Sequence, residues 1–238
     1  MKRSFIALAL FLTPLVFAQS HLEVKYLRDS AEYATSARQV YRLATMSALD
    51  HASKKPRGSW AVVLDVDETT LDNSVYELDR GAYDLEYESA SWAAWVNRAE
   101  AGNVPGVKEF LEAVRKAGGR IAFITDRAAD LTAGTRENLV RNALMADGDL
   151  LCLKSSKEDT KGVRRKSVAT GEGPCSWSGV KADVLAFMGD QMGDFPQAGE
   201  AFPGAGTDAE FGRTFFILPN PMYGGWVTTP TRVSGSFK

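Results

Sequence analysis

Trp60 to Tyr76 reads WAVVLDVDETTLDNSVY, and this stretch decides the fold. Ala61 to Leu64 is a short, apolar, partly β-branched run, the pattern of a strand buried on both faces. Asp65, Asp67, Glu68, Thr69 and Thr70 follow at once, so a buried strand delivers carboxylates into a loop. In an open parallel sheet, ligands bind outside the carboxyl ends of the strands, where the loops converge on a crevice. Two carboxylates two residues apart repel unless a cation or a proton is held between them, so a positive partner is expected here. The plainer alternative, a solvated turn after an edge strand, leaves that repulsion unrelieved.

The same pattern recurs along the chain. Ile121 to Ile124 is a second buried strand and ends on Thr125-Asp126-Arg127, and Val184 to Met188 is another and ends on Gly189-Asp190. Leu150 to Leu153 and Phe215 to Leu218 are further short strands. Between them, Val107 to Lys116 is an amphipathic helix stopped by Gly118-Gly119, and Thr135 to Met145 reads as the next helix. This alternation predicts an α/β fold: a doubly wound, Rossmann-like parallel sheet with helices on both faces. Three strands then end on acids that can meet in one crevice.

Two segments lie outside this alternation. Residues 20–55 repeat Tyr26, Tyr33, Ala37, Tyr41, Ala44 and Ala48 at helical intervals, which predicts one or two amphipathic helices before the first strand. Residues 72–104 show no strand pattern and are rich in acids and aromatics, a small, mainly helical part placed to cover the crevice. Within it Ser91 to Arg98 reads as a helix that sets Trp92 and Trp95 on one face, either as core or as part of the cleft.

Of the 238 residues, 45% are hydrophobic and 24% charged, an ordinary globular composition. A net charge of -2 and a pI near 5.8 argue against a nucleic-acid polymer as partner. Lys2 and Arg3 precede the apolar run Phe5 to Phe17, which ends on Val16-Phe17-Ala18, so residues 1–18 read as a secretory signal peptide. The run falls short of the roughly 20 apolar residues of a membrane span and contains Pro14. The reading is a single domain from residue 19 to 238, soluble in the periplasm or outside the cell, with no stable membrane anchor after cleavage and a homodimer left open. Export permits a disulfide between Cys152 and Cys175, although the apolar surroundings of Cys152 favour a buried strand thiol.

Asp65-Val66-Asp67-Glu68-Thr69 resembles the first motif of the haloacid-dehalogenase (HAD) superfamily of phosphohydrolases. With Leu71-Asp72-Asn73-Ser74 behind it, the match narrows to the class C bacterial acid phosphatases. Ile121 to Arg127 is similar to that family's second motif, Gly189 to Phe195 to its last, and Phe211 to Trp226 to its tail, in the right order over most of the chain. The resemblance implies that Asp65 is the nucleophile and Asp67 the general acid and base. It implies Mg²⁺ bound by the Asp65 carboxylate, the Asp67 backbone carbonyl and Asp190, with Asp194 reaching it through water. Thr125, Asp126 and one lysine would contact phosphate; the pattern Lys-x-x-Arg-Arg favours Lys161, with Lys157 and Lys154 open. Trp92, Trp95, Tyr223 and Trp226 come from two segments that the topology can bring over one crevice, either as a clamp for the base of a nucleoside monophosphate, the small phosphorylated substrate that class C enzymes often take, or as core in a broadly nonspecific enzyme.

One departure stands out. Class C enzymes commonly have Thr-Asn-Arg where this chain has Thr125-Asp126-Arg127, and a carboxylate there repels phosphate unless it is paired, with Arg127 for example, or turned away. Other readings are a non-catalytic exported binding or storage protein, which loss of Asp65 would have favoured, and a phosphotransferase using an acceptor alcohol in place of water. A dehalogenase has little use for Asp67, and the ATPases of the superfamily usually carry Lys-Thr-Gly after the nucleophile.

Overall fold

A computed structural model of the chain describes residues 21–229. The segment read as a signal peptide lies outside the described residues. Helices α1 (Leu22–Asp29) and α2 (Ala31–Ala52) come first, and the Ser30 side chain caps α2 by accepting the Tyr33 N–H at 3.0 Å. Then come β1 (Trp60–Leu64), β2 (Leu71–Asp72), α3 (Ser74–Gly81), α4 (Ser89–Arg98) and β3 (Gly102–Asn103). They are followed by α5 (Val107–Ala117), β4 (Arg120–Ala128), α6 (Thr132–Arg141), β5 (Leu150–Lys154), α7 (Lys161–Thr170), β6 (Asp183–Gly189) and β7 (Phe215–Ile217).

Five strands form one parallel sheet in the order β5-β4-β1-β6-β7. The chain leaves the central β1 toward β4 and β5, then returns to β6 on its other side. That reversal is the topological switch point, and it opens a crevice at the carboxyl ends of β1 and β6. Side-chain alternation sorts the core into two layers. Val62, Leu64, Ile121 and Phe123 pack in one apolar cluster with Tyr41 and Ala44 of α2 and Phe110 and Leu111 of α5. Ala61, Val63, Ala122 and Ile124 pack in the other with Val168 of α7. Helices therefore cover both faces, as the sequence pattern requires. Among the described residues no helix is long and apolar enough to cross a membrane.

Three details differ from the sequence reading. The 72–104 segment is closed at its base by a two-stranded antiparallel pair, Leu71 with Asn103 and Asp72 with Gly102. Two residues per strand are too few to leave a periodic signal. The sixth helix starts at Thr132 rather than Thr135, on a 3₁₀ turn at Ala129–Leu131, and ends at Arg141. Cys152 is buried as expected, but it is bonded to Cys175, also buried. The disulfide links β5 to the loop beyond α7 across a sequence separation of 23. Closing a loop of that length restricts the unfolded chain, so a Cys152→Ala/Cys175→Ala protein is expected to lose about 3 kcal/mol of unfolding free energy. Urea unfolding checks this, and equal midpoints for the two proteins would exclude the cross-link.

Candidate active site

Asp65 follows the last residue of β1 and keeps the alternation of Ala61 and Val63, so it faces the α7 side of the sheet, and its backbone N–H continues the ladder to Met188 O at 3.0 Å. There Lys161, the first residue of α7, places Nζ 2.5 Å from Asp65 Oδ1 and 2.5 Å from Asp194 Oδ1. Thr160 caps that helix, its side chain accepting the Val163 N–H at 3.3 Å, which fixes where Lys161 starts. Of the three lysines, Lys161 reaches the carboxylates, Lys154 lies on the cavity wall and Lys157 is exposed.

The loop after β1 is tightly held. Thr70 Oγ1 donates to Asp65 O at 2.6 Å, and Tyr41 Oη donates to Thr69 O at 2.5 Å from the layer beneath. Glu68 sits at φ +52°, a left-handed conformation uncommon outside glycine, and its buried Oε1 accepts the Asn73 N–H at 2.8 Å. Asp67 is gripped by Arg127, with Nη2 at 2.7 Å and Nε at 3.0 Å from Oδ1, and by Asn73 Nδ2 at 2.9 Å. Thr125 Oγ1 stands 3.4 Å from Asp67 Oδ2.

At the end of β6, Asp190 accepts Asn220 Nδ2 at 2.8 Å and Thr69 Oγ1 at 3.3 Å. Asp194 folds back, its Oδ2 accepting the backbone N–H groups of Asp190 at 3.1 Å and Gln191 at 2.9 Å. Gly189 makes this possible: a Cβ there would lie 2.2 Å from the Asp194 Cβ.

Asp65, Asp190 and Asp194 are buried, and each offers an oxygen within 4.8 Å of the others. With all three ionised and Lys161 charged, the group carries a net charge of -2, which one divalent cation would balance. Burial raises the Asp65 pKa well above the carboxylate range despite Lys161, and it pushes Asp190 up to about 7 with help from Asp194. Burial disfavours the Lys161 ammonium, but Asp65 and Asp194 more than restore it, so its pKa lies above the ordinary lysine range. An all-oxygen, carboxylate-rich set with excess negative charge fits a hard divalent cation.

A cavity of about 1190 Å³ opens over these groups, lined by Asp65, Asp67, Lys161 and Asp190 and also by Tyr87, Trp92 and Tyr223. Trp92 and Trp95 divide the two roles open to them. Trp95 is buried and donates its indole N–H to Asn73 Oδ1 at 2.9 Å, whereas Trp92 reaches the cavity, packed edge-on to Tyr76 and under the Arg127 guanidinium. Trp226 is not on the lining: it is about half exposed, and its indole N–H bonds Asn220 O and Tyr223 O, bracing the loop that presents Tyr223. Asp126 borders the cavity, but its carboxylate pairs with Arg164 at 2.7 Å instead of Arg127, which is committed to Asp67. Sequence reasoning gave no role to Asn73 or Asn220, offered Arg127 only as a partner for Asp126, and used Arg164 and Arg165 only as the pattern that marks Lys161. The signal for Asn73, Asn220 and Arg127 was their place inside quoted motifs; Arg164 and Arg165 lay in a basic run of the kind that usually makes a solvated helix face.

Residues 13–226 match the family model of the HAD superfamily, subfamily IIIB (acid phosphatase). The chain belongs to this family. It is similar to the class C acid phosphatase from Bacillus anthracis, at 28% identity and TM-score 0.74 with the tungstate-bound crystal structure, covering 88% of this chain and 86% of that one. A second structure of the Bacillus anthracis enzyme gives 27% identity and TM-score 0.72 over the same shares. The class C acid phosphatase is thus a phosphomonoesterase acting on small phosphorylated substrates, on an α/β fold with a buried acidic cluster that can hold a divalent cation.

Asp190 binds more protons in the folded than in the unfolded chain between its ordinary pKa of about 4 and about 7. Its contribution to stability therefore decreases as pH rises through that window. In chelated protein, the difference in melting temperature between wild type and Asp190→Asn should shift in favour of the variant from pH 5 to pH 7.5. A pH-independent difference would contradict the raised pKa.

Proposed function

We propose that this acid phosphatase hydrolyses phosphate monoesters, 5′-nucleotides among them, through an aspartyl-phosphate on Asp65 with Mg²⁺ as cofactor. The observation that carries the reading is Asp65 at the end of the central strand, between Lys161 and the mouth of the cavity, with Asp67 fixed two residues on. An Asp65 oxygen forms the bond to phosphorus as the ester P–O bond breaks, and Asp67 gives its proton to the departing alcohol oxygen. Asp67 then takes a proton from water, which attacks phosphorus and frees inorganic phosphate and the Asp65 carboxylate. Arg127 and Asn73 hold the Asp67 carboxylate in one orientation for both transfers. Thr125 and Lys161 donate to phosphate oxygens, and Asp126 takes part through its main chain, its carboxylate being held by Arg164.

Asp65, Asp190 and the Asp67 main chain would hold Mg²⁺, and Asp194 would contribute through water. The ion, when bound, supplies positive charge for the oxygens of the transferring group. Export through a signal peptide over residues 1–18 places the protein in an oxidising compartment, which agrees with the Cys152–Cys175 disulfide. N-terminal sequencing of exported protein should start near Gln19.

Asp65→Asn should fold and lose turnover, while Asp67→Asn should lose less on substrates whose leaving group needs no proton. Chelation should abolish activity and Mg²⁺ restore it. Wild-type rates from pure Asp65→Asn protein would remove the covalent mechanism.

For the substrate, Trp92 and Tyr223 border one cavity, where stacking on a flat base would contribute about 1 to 3 kcal/mol per contact. Nucleoside 5′-monophosphates should then exceed ribose 5-phosphate in kcat/KM by about tenfold or more. Tyr223→Ala should erase most of that ratio and spare a small aryl phosphate; equal values in the unmutated protein would show that no clamp operates.

A further inference from the structure

Helix α7 contains two adjacent arginines that are almost fully buried, Arg164 at 1% and Arg165 at 2% exposure. Neither touches the Asp65, Asp67 or Asp190 carboxylates, and they point in opposite directions. Arg164 reaches the phosphate side. Its Nη1 donates to Thr125 O at 2.5 Å and to Cys152 O at 3.1 Å, tying β4 to β5. Its Nη2 meets Asp126 Oδ1 at 2.7 Å, and its Nε meets Asp159 Oδ1 at 3.2 Å and Thr160 O at 3.4 Å, just ahead of Lys161. Arg165 reaches the acidic side. Its Nη1 donates to Gly193 O and Asp194 O, both at 3.1 Å, and its Nε and Nη2 form a fork on Glu200 at 2.9 and 2.5 Å.

Resting on the mechanism proposed above, we propose that these are two separate positioning residues. Arg164 sets the spacing between Thr125 and Lys161, and so the grip on phosphate; Arg165 sets the turn that carries Asp194, and so the affinity for the divalent cation. The chemistry of arginine is suited to this. A planar guanidinium bonds two carbonyls and a carboxylate at once, which a lysine ammonium on a flexible stem cannot do in the same geometry. Arg164 also explains the carboxylate beside a phosphate site: Asp126 is its outer anchor.

The test crosses two variants with two readouts. Arg164→Lys should raise the inhibition constant for inorganic phosphate, at saturating Mg²⁺, by about tenfold or more, because small displacements at such sites are costly. It should leave the Mg²⁺ dissociation constant, read by calorimetry on chelated protein, within about threefold. Arg165→Lys should do the reverse, since partners behind metal ligands typically govern about 10- to 100-fold in metal affinity. Parallel changes in both readouts, or no change in either, would overturn the assignment, because a merely structural arginine would not separate them.

Two partner substitutions keep the test open if a lysine variant fails to fold. Asp126→Ala, at a half-exposed site, should weaken phosphate inhibition; tighter inhibition would mean that the carboxylate only repels anions, and would overturn the role of Arg164. Glu200→Gln should raise the Mg²⁺ dissociation constant, and an unchanged constant would overturn the role of Arg165. Asp65→Asn assayed alongside separates the levels: an active Asp65→Asn protein removes the mechanism underneath, whereas an inactive one with uncrossed arginine effects removes this inference alone.

Discussion

The Lys161 ammonium between Asp65 and Asp194 is the contact on which the rest of the site depends. Buried carboxylates within 4.8 Å of one another repel by about 3 kcal/mol per pair even at an effective dielectric of 20. One cation relieves part of this, while the pKa of Asp190, whose direct partners are the neutral donors Asn220 and Thr69, is pushed up to about 7 by burial and by Asp194. The cluster persists without collapse because each acid is set by rigid main chain: β1 delivers Asp65, β6 delivers Asp190, and Gly189 lets Asp194 cap the turn behind it. Stored repulsion of this kind is a ready binding force for a divalent cation, and its origin is topological. It arises where the parallel sheet reverses its winding.

Helix α7 is the second support. Its first residue neutralises acids from β1 and from the turn after β6, and its next arginines fasten it to β4 and β5 and to that same turn. A helix with little propensity-driven stability of its own, short and basic, is thus secured by charge-assisted bonds and by the disulfide beyond its carboxyl end.

The sheet was legible because its strands are uninterrupted apolar runs, and the acids because they follow those runs directly. Asp65, Thr125 and Asp190 needed only local sequence. What escaped the sequence was pairing over distance. Arg164 sits in a basic run that ordinarily signifies a wet helix face, yet it is buried, because its partners lie 38 and 39 residues earlier in β4. Cys152 and Cys175 gave no spacing signal, and burial of one thiol said nothing about the other. Trp226 looked like a cleft aromatic from its motif, but its indole N–H serves the backbone of its own loop. Local chemistry can be read locally; a partner chosen by the fold cannot.

The insertion over residues 72–104 illustrates how such pairings join parts that seem separate. Trp95 donates to Asn73 Oδ1, and Asn73 in turn donates to Asp67, so a buried ring of the insertion fixes one side of the proposed general acid. Trp92 lies against the Arg127 guanidinium, which holds the same carboxylate from the other side, and it also faces the cavity. The two tryptophans, three positions apart on α4, therefore act on one carboxylate through two intermediaries. The aromatic segment is in this sense part of the acid's support as well as a wall of the cleft.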